Sequence, residues 1–186
     1  MNPSLFTRRA VRRHAARGVT LIESMVVTTV LAIAASTAIP GMGGFKSRQA
    51  LVNTAAEFET DVQHTRSLAV AGNAALRISF DARDGASCYI VHTGAASDCE
   101  CGASGEAVCR NGAESQRMVR FADGGPVAMR ANVRSIVFDP VRGTSTPTGS
   151  VRFAQDSGAA VHQVINVLGR VRSCSPNREV AGYKAC

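Results

Sequence analysis

The sequence predicts an α+β chain, with one long N-terminal helix followed by a domain of antiparallel β-sheet. Three observations carry this. An apolar run occupies residues 19–39, an apolar stripe with alternating spacings of four and three follows it, and beyond residue 73 the period falls to two. At 186 residues the chain has room for about one folded domain. With 45% hydrophobic and 19% charged residues it is too apolar for intrinsic disorder and too polar for a multi-span membrane protein.

The elements follow in chain order. Residues 1–18 hold Arg8, Arg9, Arg12, Arg13 and Arg17 and no acid, so they carry five of the seven formal positive charges and leave a nearly balanced +2 behind. A short basic head before an apolar run is a targeting signature and stands outside the fold. As a helix, Val19–Ile39 spans about 30 Å, one bilayer core, so it is expected to cross a membrane with its arginine-flanked end in the cytoplasm. Glu23 interrupts it with no basic residue in helical reach. A carboxylate in a spanning helix costs about 2.5–3.5 kcal/mol, so Glu23 calls for a partner or a wet interface. The competing reading is a secreted enzyme or binding protein with an ordinary secretory signal, for which Ala32-Ile33-Ala34 and Ser36-Thr37-Ala38 are candidate cleavage sites and cleavage is expected near residue 38.

Pro40 and the glycines at 41, 43 and 44 predict a break or kink. An amphipathic second helical stretch should then run from Phe45 to Ala71, within a segment 40–72. Its stripe of Leu51, Ala55, Phe58, Val62, Thr65 and Ala69 is expected to pack on the domain's own sheet, and Gly72-Asn73 should stop it. From 73 to 186 a β-rich globular region is expected. Leu76, Ile78 and Phe80 alternate with polar residues, and further strands are predicted at Cys88–His92, Met118–Phe121, Val133–Phe138, Ser150–Ala154 and Val161–Leu168. Turns are marked at Asp84-Gly85, Gly124–Pro126, Asp139-Pro140, Asp156–Gly158 and Gly169. Residues 94–116, rich in Gly, Ala, Ser and Cys, read as a long loop.

The segment Arg17-Gly18-Val19-Thr20-Leu21-Ile22-Glu23 closely resembles the type III signal of type IV pilins and type II secretion pseudopilins. The resemblance implies that a prepilin peptidase cuts between Gly18 and Val19, that Val19 is N-methylated, and that Glu23 meets the N-terminal amine of a neighbouring subunit. Val19 departs from the commoner Phe or Met. Pro40 matches the proline that kinks pilin helices. The globular part resembles the GspH/FimT branch in three places: Asp61–Ala69, the turn Val137-Phe138-Asp139-Pro140-Val141-Arg142-Gly143, and Gly169-Arg170-Val171-Arg172. It implies a pilin-like fold in which the helix, transmembrane in its first half, packs on the sheet domain. It also implies a single-pass inner-membrane protein with a periplasmic domain, assembling with other pilins or pseudopilins. The expected role is that of a FimT-like minor pilin of a type IV pilus, with a GspH-type pseudopilin of the type II secretion system as the alternative.

Six cysteines all follow the apolar run and so face a disulfide-forming compartment. Cys174 and Cys186 should pair with each other, closing a loop that contributes about 3 kcal/mol in the chain-entropy picture. Cys88, Cys99, Cys101 and Cys109 allow three pairings. Direct Cys99–Cys101 closure is strained, which leaves Cys88 with one of those two and Cys109 with the other. Zinc is the weaker reading, because no Cys-x-x-Cys pair exists and His92 and His162 lack ligand spacing. No nucleotide loop, His-Glu-x-x-His or Gly-x-Ser-x-Gly occurs, and His64, His92 and His162 are scattered. The expectation is a non-enzyme without metal or cofactor.

Residues 19–124 hold 8 basic and 11 acidic side chains, whereas residues 125–186 hold 8 and 3. If residues 170–172 are extended, Arg170 and Arg172 share one face and Val171 turns inward. Paired guanidiniums suit sequence-independent phosphate contacts. Arg170, Arg172, Arg178 and Lys184 are therefore candidate DNA contacts, a role that the resemblance to the FimT tail supports. The plain alternative is a solvated strand face.

Overall fold

The computed structural model describes residues 19–38, 42–83, 86–102 and 104–186. Gly18, Pro40 and the Asp84-Gly85 turn lie outside the described residues. Two compact units divide at Met42 and Gly43. The amphipathic stretch therefore belongs to the same unit as the sheets.

The first unit contributes α1, Leu21–Ala38. Its N-terminus is capped, because the Glu23 N–H donates to Thr20 Oγ1 at 3.3 Å. Thr20-x-x-Glu23 has the capping-box spacing, and an acid in the first turn also complements the helix dipole. At 18 residues α1 is about 27 Å long, and among the described residues no helix is long and apolar enough to cross a membrane. The apolar sequence of 19–39 outruns the described helix at both ends.

The second unit opens with α2, Met42–Ala71. The expected break does not extend to Gly43 and Gly44, which are helical, since glycine weakens a helix by only about 1 kcal/mol when the following turns are anchored. Every member of the predicted stripe is buried: Leu51, Ala55, Phe58, Val62 and Ala69 fully, and Thr65 to 1% exposure. The helix ends where Asn73 takes a positive φ of 47°.

Strands β1 Leu76–Arg83, β2 Ala86–His92, β3 Cys99–Cys101, β4 Ala107–Cys109, β5 Ser115–Phe121, β6 Ala128–Ala131, β7 Ser135–Phe138, β8 Ser145–Thr146, β9 Gly149–Ala154, β10 Ala160–Ile165, β11 Val171–Ser175 and β12 Lys184–Ala185 follow. They form two five-stranded sheets rather than one, in the orders β5-β2-β1-β7-β8 and β12-β11-β10-β9-β6, plus a β3–β4 hairpin. Both sheets pack against α2. Phe58 lies at the centre, with ring centroids of Tyr89, Phe153 and Phe80 at 5.1, 5.4 and 6.1 Å. These edge and tilted contacts add to the area term of burial.

The segment 94–116 is more ordered than a loop. Its hairpin covers the far side of the first sheet, where Cys88, Ile90 and Cys99 form a second small core. β2 is thus apolar on both faces, so Tyr89, Ile90 and Val91 are buried in succession. Disulfides Cys88–Cys101 and Cys99–Cys109 fasten the hairpin to β2 and to itself, and Cys174–Cys186 fastens the chain end. They do in covalent form what the short β3 and β4 could not do by burial alone.

Candidate functional site

Three places concentrate the residues singled out above. The first is the start of α1. Val19 is 71% exposed and Glu23 is exposed one turn further on. Around them Leu21, Ile22, Met25, Val26, Val27, Val30, Leu31 and Ile33 are all more than half exposed. An exposed apolar surface of this length marks a face suited to an apolar covering, with Glu23 the one acid at its head.

The second place joins the three family-like segments. Arg66 Nε donates to Gly143 O at 2.8 Å, and Gln63 Nε2 donates to Gly169 O at 3.3 Å. Gly143 and Gly169 have φ of 62° and 69°. A Cβ on Gly143 would meet Arg66 Nε at 3.0 Å, and one on Gly169 would meet Arg66 Cδ at 2.9 Å and Gly143 O at 3.1 Å. Asp139 Oδ1 accepts from the N–H groups of Val141 and Arg142 at 3.0 and 2.7 Å, which builds the turn that presents Gly143. These motifs therefore hold the end of α2 to two loops, a structural task.

The third place is the outer face of the second sheet. Val171 packs on the core while Arg170 and Arg172 are exposed on either side of it. Arg170 itself precedes β11, where Asn166 shapes the turn: its Oδ1 accepts from the N–H groups of Leu168 and Arg170, both at 3.0 Å. Lys184 is brought near Arg172 by the parallel β11–β12 pairing, in which it stands opposite Cys174. Arg178 is not part of this group. It lies beyond the far end of β11 in a short 3₁₀ turn, with φ of 56°. The sequence alone does not show Arg152 and Arg130 to be neighbours of these residues. Both are exposed and stand opposite one another on β9 and β6, an adjacency that only the strand register reveals.

His92 is fully buried. Its Nδ1–H donates to Thr93 O at 2.7 Å, which leaves Nε2 to accept from the Ser79 hydroxyl at 2.8 Å. Burial holds its pKa below the ordinary imidazole range. His162 is likewise held low by burial and by Arg152. Among the described residues no group of three His, Cys, Asp or Glu side chains is placed to hold a metal ion.

The family model described as Type II transport protein GspH matches residues 54–169, and that of the prokaryotic N-terminal methylation motif matches residues 13–39. Arg170 and Arg172 lie just past the first of these. No curated protein matches the chain. Similar solved structures include the type IV minor pilin FimU of Pseudomonas aeruginosa. One crystal form is 20% identical, covers 68% of this chain and 97% of that one, and has a TM-score of 0.46. The minor pseudopilin EpsH from the Type 2 Secretion System of Vibrio cholerae is 7% identical, covers 69% of this chain and 98% of that one, and has a TM-score of 0.45.

Proposed function

Since the chain belongs to the GspH family of type II transport proteins, we propose that it is a FimT-like minor pilin, anchored in the inner membrane, which joins or primes a type IV pilus and holds DNA on its basic C-terminal region. The observation that carries the assembly role is α1: an exposed apolar helix headed by the methylation motif, with Glu23 in its first turn. A prepilin peptidase cuts between Gly18 and Val19, and the new amine on Val19 is methylated. Glu23 then pairs with the amine of a neighbouring subunit. In low dielectric a lone carboxylate is penalised and a matched pair is not, so Glu23 sets the register of each incoming subunit. The inner membrane covers the apolar surface before assembly, and neighbouring pilin helices cover it afterwards.

Sequencing the mature N-terminus tests this reading. N-methylated Val19 is the expected first residue, and a start near Ile39 would overturn it. The DNA role is tested by Arg170→Gln with Arg172→Gln in the full chain held in a non-ionic detergent. Losing two phosphate contacts lowers the slope of log affinity against log salt by about 1.4–1.8, depending on strandedness. An unchanged slope and affinity would remove these two residues from the site.

The family description itself favours a second reading, a GspH-type pseudopilin of the type II secretion system. Deleting the chain from its host separates the two. Loss of pili and of DNA uptake supports the first, and retention of normally secreted proteins in the periplasm supports the second.

A further inference from the structure

Strand register places five side chains of distant sequence in one line across the second sheet. Arg130 of β6 stands opposite Arg152 of β9, Arg152 opposite His162 of β10, His162 opposite Cys174 of β11, and Cys174 opposite Lys184 of β12. Residues opposite one another share a face, and the alternate positions Val151, Phe153, Val161 and Gln163 are all buried. The line therefore lies on the outer face. Four inter-strand steps make it about 19 Å long. Arg172 stands one pleat away on the same face, opposite Val164.

The line is built against its own charge. Arg130 and Arg152 are directly opposite, an arrangement that destabilises a sheet unless something negative lies over it. Neither they nor Arg172 nor Lys184 forms an ion pair with a described carboxylate. The outward positions of β6, β9, β10, β11 and β12 contain no Asp or Glu. In the middle of the line His162 is half-buried with Nε2 shielded from solvent, so the exposed cations of the line stand to either side of it. Its ends are too far apart for one small anion, but a chain of phosphates spans them. The same outward positions carry no Phe, Tyr or Trp, so there is no platform on which unpaired bases could stack.

We propose that this line is a track for the sugar–phosphate backbone of duplex DNA, running across the strands from Arg130 through Arg152 to Lys184, with Arg172 beside it. The proposal rests on the reading that DNA is a partner, and adds to it the path, the residues and the preference for a duplex. Phosphate contacts made by guanidinium forks carry no base information, so binding along the track is independent of sequence.

The test uses the full chain in non-ionic detergent and a labelled duplex of mixed sequence, titrated at several salt concentrations. Arg130→Gln with Arg152→Gln lowers the log–log slope by about 1.8 and the affinity at 0.1 M salt about 60-fold, while Arg130→Lys with Arg152→Lys keeps the slope. The melting temperature of the Gln variant equals or exceeds that of the parent, since an opposed like-charge pair has been removed. The matching single strand binds more weakly than the duplex. If the parent binds DNA and the folded Gln variant keeps its slope and affinity, the track is overturned and the reading of Arg170 and Arg172 stands. If the parent binds no DNA, both fall. A single strand that binds as tightly as the duplex overturns the duplex assignment. Should the double Gln variant not fold, Arg130→Gln and Arg152→Gln are read singly, each expected to lower the slope by about 0.9.

Discussion

Asp61 interrupts the buried stripe of α2 at 7% exposure. It is tolerated because Tyr89 Oη and Arg117 Nε both donate to its Oδ2 at 2.6 Å, while Arg117 also pairs with Glu57. Burial first, and then the hydrogen bond to Asp61, push the Tyr89 hydroxyl far above its ordinary pKa of 10.0. Stability from this group is complete below pH 10 and is lost as pH rises further, because the unfolded chain releases a proton that the folded chain keeps. His92 acts in the opposite sense. Its folded pKa lies below the ordinary 6.5, so its contribution is present above pH 6.5 and is lost on acidification. Thermal melts across pH should show a plateau between about 6.5 and 10 with a limb on each side. Tyr89→Phe should flatten the alkaline limb and leave the acid one. A parent protein with no alkaline loss of stability would contradict the buried Tyr89–Asp61 bond. The sequence displayed Asp61 as a polar position on an apolar face but could not show its partners, which lie 28 and 56 residues away.

At the scale of elements, the junction of α2 with the turns at Gly143 and Gly169 concentrates strain if either glycine gains a side chain. Gly169→Ala meets both a left-handed φ and the Arg66 side chain, and should cost about 1–3 kcal/mol, read as a fall in melting temperature. Gly124→Ala, with φ of 65° and open space around the new methyl, should cost only about 1 kcal/mol. Equal losses at the two sites would show that Arg66 does not fix the junction. Elements with a strong local period were legible in advance, α2 and the strands β1, β2, β9 and β10 above all. β6, β8 and β12 were not, because two to four residues give no period to read. β3 and β4 were hidden because their order comes from disulfides and from the sheet they cover.

At the scale of the whole molecule, four basic residues of the last third, Arg130, Arg152, Arg172 and Lys184, come to share the outer face of the second sheet. Eight basic residues between 125 and 186 were countable, but which of them stand side by side depends on how five strands align. Reading Arg170 and Arg172 as a pair needed only the pleat of one strand. Joining Arg130 to Arg152 needed β6 and β9 in register, information that no local window contains. The N-terminal methylation motif was the opposite case, a contiguous pattern legible without any fold. The Cys174–Cys186 bond also has a practical consequence. Cys186 is held to Cys174, and Cys174 stands within the cationic line, so whatever is fused after Cys186 starts beside that line. An acidic epitope tag placed there would act as a tethered competitor for the surface, at the millimolar effective concentration of a short linker.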